Sequence, residues 1–264
     1  MMGPLLSDKI PLILESVFQC TLDMINKDFS EYPEHRGTIF ELLRAINKKC
    51  FSALLALSPA QFKLVFDSIV WAFKHTTRDI ADTGLSIALE MLNNFTSSDP
   101  AVSNAFFQNY FLGLLQDVFF VLTDSSHKSG FWLQCVVLAR MFQIVESNQI
   151  TTLLFDPSKF GQYSTNGQFL RYYVVELLAS GFPNLTRRQL EVFTEGLFEY
   201  NTDSEKFRLH MRDFLIQLKE FAGDNADLYL TETERDLEKK KAAELKAAMQ
   251  VPGMIKPSDM EEDD

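Results

Sequence analysis

The feature that most restricts the fold of this chain is a spacing. Across residues 59–75 the apolar side chains are Phe62, Val65, Phe66, Ile69, Val70 and Phe73, at offsets 0, 3, 4, 7, 8 and 11. Such a series lines one face of an α-helix and does not alternate across a strand. Across 204–221 the set Phe207, Met211, Phe214, Leu215, Leu218 and Phe221 repeats the pattern. Ends are marked as helices require. Ser58 stands at an N-cap with Pro59 at the first helical position, Thr186 caps the segment that follows it, and Asp203 or Ser204 caps another, with Gly223 past its end. Glycine and proline number only 11 and 9 in 264 residues, too few for a sheet of many tight turns.

The same reading predicts helices at about 11–26, 34–49, 59–75, 78–96, 101–123, 129–147, 168–180, 187–200 and 204–221. They fall into pairs with short connections, and the first three pairs start 48 and 42 residues apart. That period is expected of HEAT-type repeats, whose pairs bury their excess apolar surface by stacking on neighbours. The predicted fold is therefore all-α, a solenoid of about five antiparallel helix pairs; a compact helical bundle is the alternative. One connection breaks the rhythm. Residues 148–167 form a loop of about twenty residues, read either as a variable insertion or as a functional element.

Beyond residue 222 the character changes. Residues 223–264 hold 12 acidic and 6 basic side chains. The stretch 231–250 reads as a polar helix, with Thr231 and Glu234 placed for a capping box and Asp236–Lys240 and Lys240–Glu244 as i,i+4 pairs. Its docking seam is narrow: Leu237, Leu245, Ala248 and Met249. Val251-Pro252-Gly253 stops it, and Asp259, Glu261, Glu262, Asp263 and Asp264 make a flexible acidic end that can search for a basic patch. The organisation expected is thus helical repeats over 1–222, a polar helix over 223–250 and an acidic tail over 251–264.

Chemistry is sparse. The net charge of −11 gives nothing to phosphate counterion release, so nucleic acid is not an expected direct partner. Cys20, Cys50 and Cys135 are scattered and odd in number, which fits buried thiols better than a disulfide framework or a zinc site. The run Phe131–Val145 is too short and too polar to span a membrane, and the N-terminus lacks a signal-peptide pattern, so no membrane insertion is expected. His35, His75, His127 and His210 are isolated and are read as cap and surface residues; no nucleophile elbow, phosphate loop or dinucleotide fingerprint is present. No cofactor, metal or catalytic residue is assigned, and a protein-binding surface is the expected working part. Phenylalanine, with 24 residues, is abundant enough both to pack a core and to line shallow pockets between adjacent outer helices, open to another protein's aromatic side chains.

Several irregular segments carry a resemblance. Met24–Arg36 (MINKDFSEYPEHR), Trp71–Asp79 (WAFKHTTRD), Ala81–Leu85 (ADTGL), Val121–Phe131 (VLTDSSHKSGF), Arg212–Asp224 (RDFLIQLKEFAGD) and Val251–Pro257 (VPGMIKP) occur in the order found in the C-terminal region of nuclear export receptors of the karyopherin-β family. The chain resembles that region from about residue 8 onward. The resemblance implies a HEAT-repeat receptor that shuttles between nucleus and cytoplasm. Such a receptor carries leucine-rich export-signal cargo with GTP-bound Ran and touches Phe-Gly nucleoporins. It further implies that the helix over 231–250 and the terminal acids regulate the export-signal groove by autoinhibition, and it implies no enzyme. A generic HEAT scaffold within another protein complex is the alternative reading.

Overall fold

The computed structural model describes residues 9–13, Ser16 and residues 33–222. Among them every regular element is helical. The α-helices are α1 (Ile10–Ile13), α2 (Pro33–Lys49), α3 (Phe51–Leu55), α4 (Pro59–Phe73), α5 (Arg78–Thr96), α6 (Pro100–Thr123), α7 (Phe131–Glu146), α8 (Asn166–Gly181), α9 (Arg187–Glu199) and α10 (Ser204–Ala222). A 3₁₀ segment, Ser125–Gly130, joins α6 to α7. The chain divides into two compact units, Met1–Leu215 and Ile216–Asp264. Of the second, the described part is the end of α10. The polar helix and acidic tail expected beyond residue 222 lie outside the described residues.

The helix starts follow from their caps. Ser58 accepts from the Gln61 N–H while the Gln61 side chain accepts from the Ser58 N–H, a reciprocal box that fixes the first turn of α4. Thr186 and Gln189 build the same box for α9. Asp99 caps α6 through the Ala101 N–H, and Asp203 caps α10 by accepting from the Lys206 N–H at 3.1 Å. The expected helix 78–96 forms over Arg78–Thr96. The short helix α3 was not expected; it occupies the connection between α2 and α4.

In the first unit α4 packs against α5, α6 against α7, and α8 against α9, as the pairing pattern requires. The second helices of successive pairs then stack in one layer, α2 on α5, α5 on α7 and α7 on α9, while α4 meets α6 in the other. This is a HEAT-type stack: each pair buries against its neighbours what it could not bury alone. Phe73, Phe107, Phe111 and Phe142 are fully buried in it. Close approach is purchased with a small residue at one point. A Cβ on Gly84 of α5 would lie 2.6 Å from the Phe73 backbone nitrogen, so the α4–α5 contact admits only glycine there.

The α6 helix is long and apolar enough to cross a membrane by length and composition, yet half of that stretch is buried within the stack. The run Phe131–Val145 singled out from sequence belongs to α7, also a packed helix.

Polar rungs tie one pair to the next. Asn94 donates to the Asn47 carbonyl at 2.8 Å, Arg140 donates to Asn93 Oδ1 at 2.7 Å, and Arg44 pairs with Glu90 at 3.4 Å. Asn201, buried after α9, donates to Glu146 at 2.6 Å.

Candidate functional site

The terminal acids Asp259, Glu261, Glu262, Asp263 and Asp264, and the seam residues Leu237, Leu245, Ala248 and Met249, all lie outside the described residues. What the structure does display is aromatic surface on the α4–α6–α8 side of the pairs.

The first aromatic seam runs between α4 and α6. Phe95 and Phe106 stack at its floor, 3.8 Å apart and nearly parallel. Above them Phe62 stands edge-on to Phe106 at 6.2 Å and to Tyr110 at 5.6 Å, and Phe66 lies 4.5 Å from Tyr110. Phe66, Phe95 and Phe106 are buried, whereas Phe62 and Tyr110 are only partly covered. Tilted and edge-on rings at these separations hold one another through their quadrupoles, so the half-open pair rests on a packed base. Phe62 and Phe66 belong to the periodic face of α4 that was evident in sequence. Tyr110 did not stand out there, since a single tyrosine on an apolar helix carries no positional signal.

The second seam is built by the loop that breaks the repeat rhythm. Far from being loose, the loop is anchored at three points: Ile150, Leu154 and Phe155 are buried. The loop begins with Asn148 at positive φ, 53°, and the Gln149 N–H returns to the Ile144 carbonyl, closing α7. Asn104 of α6 accepts from the Thr151 N–H at 3.0 Å and donates to the Thr151 hydroxyl at 2.7 Å. Asn166, the first residue of α8, accepts from the Leu154 N–H and donates to the Thr152 carbonyl, both at 2.8 Å. So held, the loop presents Phe160 and Tyr163 to α8. Phe155 stacks on Phe169 at 4.6 Å, Tyr163 stacks on Tyr172 at 5.3 Å, and Phe160 approaches Tyr172 at 6.0 Å. Phe160, Tyr163, Tyr172 and Tyr173 remain partly open to solvent. Burial raises the Tyr173 hydroxyl above its ordinary range.

Two further rings are exposed singly. Phe120 of α6 is 55% exposed, with the Lys74 ammonium 5.3 Å from its centroid and Lys74 paired to Asp117. Trp132 of α7 is 57% exposed.

The titratable groups do not converge. Cys50 and Cys135 are buried free thiols, and desolvation pushes the Cys135 thiol up, away from thiolate chemistry. His127 is not a surface residue, and His210 is half-buried. His127 is buried, its Nε2 2.7 Å from the Lys74 carbonyl and its Nδ1 3.2 Å from Asp124 without hydrogen-bond alignment. His210 packs over Gly196 with Nε2 2.7 Å from the Phe193 carbonyl. Each of these two is used in joining helices; for buried His127 this corrects the surface reading from sequence, whereas His75 accepts from the Thr77 N–H at 2.8 Å beside the start of α5, as a cap residue would. Among the described residues no group of three or more His, Cys, Asp or Glu side chains could hold a metal ion.

Comparison with known proteins bears on this arrangement. The family model described as CRM1 C terminal matches residues 1–223. Exportin-1 of Schizosaccharomyces pombe is 60% identical over 98% of this chain, and the match covers 24% of that relative. Protein EXPORTIN 1B of Arabidopsis thaliana is 48% identical over 97% of the chain and 23% of its own length. Exportin-1 of Drosophila melanogaster is 44% identical over 98% and 24%. The chain therefore spans about a quarter of the length of the curated relatives it matches.

Proposed function

Because the chain belongs to the CRM1 C-terminal family, we propose that it acts as the C-terminal part of a nuclear export receptor, a protein-binding region and not an enzyme. In this reading the whole receptor shuttles between nucleus and cytoplasm and carries leucine-rich export-signal cargo with GTP-bound Ran. The helix pairs described above contribute to the Ran contact and accept side chains of Phe-Gly nucleoporins.

The observation that carries the nucleoporin part is the pairing of half-open rings over a buried aromatic floor, Phe62 and Tyr110 above Phe95 and Phe106. An isolated phenylalanine side chain entering such a seam gains edge and face contacts and loses apolar exposure, about 1.5–3 kcal/mol when fully covered. Weak contacts of this size, repeated at Phe160, Tyr163 and Tyr172, suit a partner that presents many phenylalanines on one flexible chain.

The test is a titration of the chain with a Phe-Gly repeat peptide, with a Phe-to-Ser peptide as control. Saturable binding that the control lacks, and that Phe62→Ser with Tyr110→Ser weakens, supports the reading. Equal signals from both peptides would remove the seams from the pore contact.

The regulatory part concerns the terminal acids. Neutralising Asp259, Glu261, Glu262, Asp263 and Asp264 in the full receptor tightens export-peptide binding in the absence of Ran, if the tail holds the groove closed. A tethered anionic segment acts at high effective concentration and is weakened by salt, so low ionic strength is the sensitive condition. Unchanged affinity at low salt would sink this part.

A further inference from the structure

Asn166 and Gly167 form the one Asn-Gly dipeptide in the sequence, and the fold sets it at the joint between the loop and α8. The Asn166 amide is used at both ends. Its Oδ1 accepts from the Leu154 N–H at 2.8 Å, and its Nδ2 donates to the carbonyls of Thr152 at 2.8 Å and Ile150 at 3.5 Å. Asn104 grips the same stretch from α6, accepting from the Thr151 and Thr152 N–H groups at 3.0 and 3.4 Å.

Such a dipeptide has a chemistry of its own. Glycine has no side chain to shield its nitrogen or to restrict the backbone, so that nitrogen can reach the preceding asparagine carboxamide more easily than any other residue's can. Gly167 lies in the first turn of α8, where backbone N–H groups have no intrahelical acceptor. What stands in the way is geometry: attack requires the Asn166–Gly167 peptide to leave its helical dihedrals, and the hydrogen bonds of the amide oppose that.

We propose that Asn166 is a conformationally gated deamidation site whose conversion is a one-way release of the loop. When the loop opens, the Gly167 nitrogen bonds to Asn166 Cγ and gives up its proton. The Cγ–Nδ2 bond breaks and Nδ2 leaves as ammonia. Water then adds to one carbonyl of the resulting succinimide and cleaves its ring C–N bond, which leaves aspartate or isoaspartate at position 166. Water is the only co-reactant, and nothing is oxidised or reduced. The product carries a carboxylate where an amide donated, so an anionic acceptor faces the carbonyls of Thr152 and Ile150. That contact is repulsive, and the closed loop is no longer the favoured state. Phe160 and Tyr163 then lose their fixed place beside Tyr172. The effect on nucleoporin contact rests on the function proposed above; the chemistry does not.

The experiment follows isoaspartate at position 166 by peptide mapping with mass spectrometry in the full chain, aged in native buffer and in denaturant. Conversion is expected in denaturant and is held back in native buffer. Asn104→Ala, which loosens the grip on the loop, accelerates native conversion about tenfold. Gly167→Ala, whose Cβ would meet only the Arg171 Nη1 at 3.4 Å, suppresses conversion even in denaturant. Native protein converting at the denatured rate would overturn the gating, and no conversion at 166 in denaturant would overturn the site. If Asn104→Ala does not fold, the native-to-denatured ratio of wild-type rates decides alone. Asn166→Asp then tests the release: faster hydrogen exchange at Thr152 and Leu154 is expected, and unchanged exchange would overturn it. None of these readouts depends on nucleoporin binding.

Discussion

The two aromatic seams present similar rings by different means. Between α4 and α6 the rings are held by helices whose caps, periodicity and buried phenylalanines all agree. Between the loop and α8 the rings are held by carboxamides, Asn104 and Asn166, that reach across 47 and 12 residues of chain to bind backbone. In the first arrangement both walls are helices, so the rings and the backbone beneath them are fixed together. In the second the rings also touch one another, Tyr163 meeting Phe155, Phe169 and Tyr172, but the loop backbone that carries them is fixed by a few directional bonds, so its failure is local and its stability low relative to the stack.

That contrast can be broken or sharpened by experiment. Phe107→Ala empties a fully buried position in the stack and lowers global stability by about 3–5 kcal/mol in chemical denaturation. Gly84→Ala follows, at about 1–3 kcal/mol, because its methyl group meets the α4 backbone and not a movable side chain. Phe155→Ala in the loop gives a different signature: hydrogen exchange rises over 150–166 while the global midpoint moves less than for Phe107→Ala. Equal global losses from the two phenylalanine variants would show that loop and stack unfold as one unit.

Acid separates the regions more gently. Hydrogen bonds from Ser126, from Ser158 and from Lys206 hold the carboxyls of Asp124, Asp156 and Asp203 below their ordinary range. A depressed folded-state value means that the ionised form favours the fold. This contribution is complete above the ordinary carboxylate range and is lost as pH falls through the depressed values. Asp156 lies in the loop, so Asp156→Asn makes loop exchange less sensitive to acid and leaves the α10 cap at Asp203 unaffected. The smallest effect is a gain. Gly113→Ala on the open face of α6, where a Cβ meets nothing within 4 Å, raises stability by about 0.5–1 kcal/mol in the same denaturation assay.

The two regions also differ in how far sequence alone reveals them. Apolar offsets and cap residues are local signals, and they located α4, α5, α9 and α10 to within about two residues at each end. Phe62 and Phe66 were visible as part of that face. The loop was visible only as an interruption. Its order comes from Asn104 meeting Thr151, and no local pattern ties a solvent-facing asparagine on one helix to a threonine after the next. The same holds for His127 and His210, which look isolated in sequence and meet the carbonyls of Lys74 and Phe193 only once the helices are packed.

The rungs between pairs have a consequence for length. Arg44 and Glu90 are 46 residues apart, and Asn47–Asn94, Asn93–Arg140 and Asn104–Thr151 are each 47 apart. These contacts act as a ruler laid along the chain. Adding one residue inside α5 or α6 would rotate everything after it by about 100° and swing the next rung off its partner. Past the loop the count relaxes, and Glu146 finds Asn201 at 55 residues. The polypeptide can therefore change length between Asn148 and Thr165 and keep every earlier rung but the Asn104 grip, whereas a single added residue within the stacked helices costs the alignment of a whole pair.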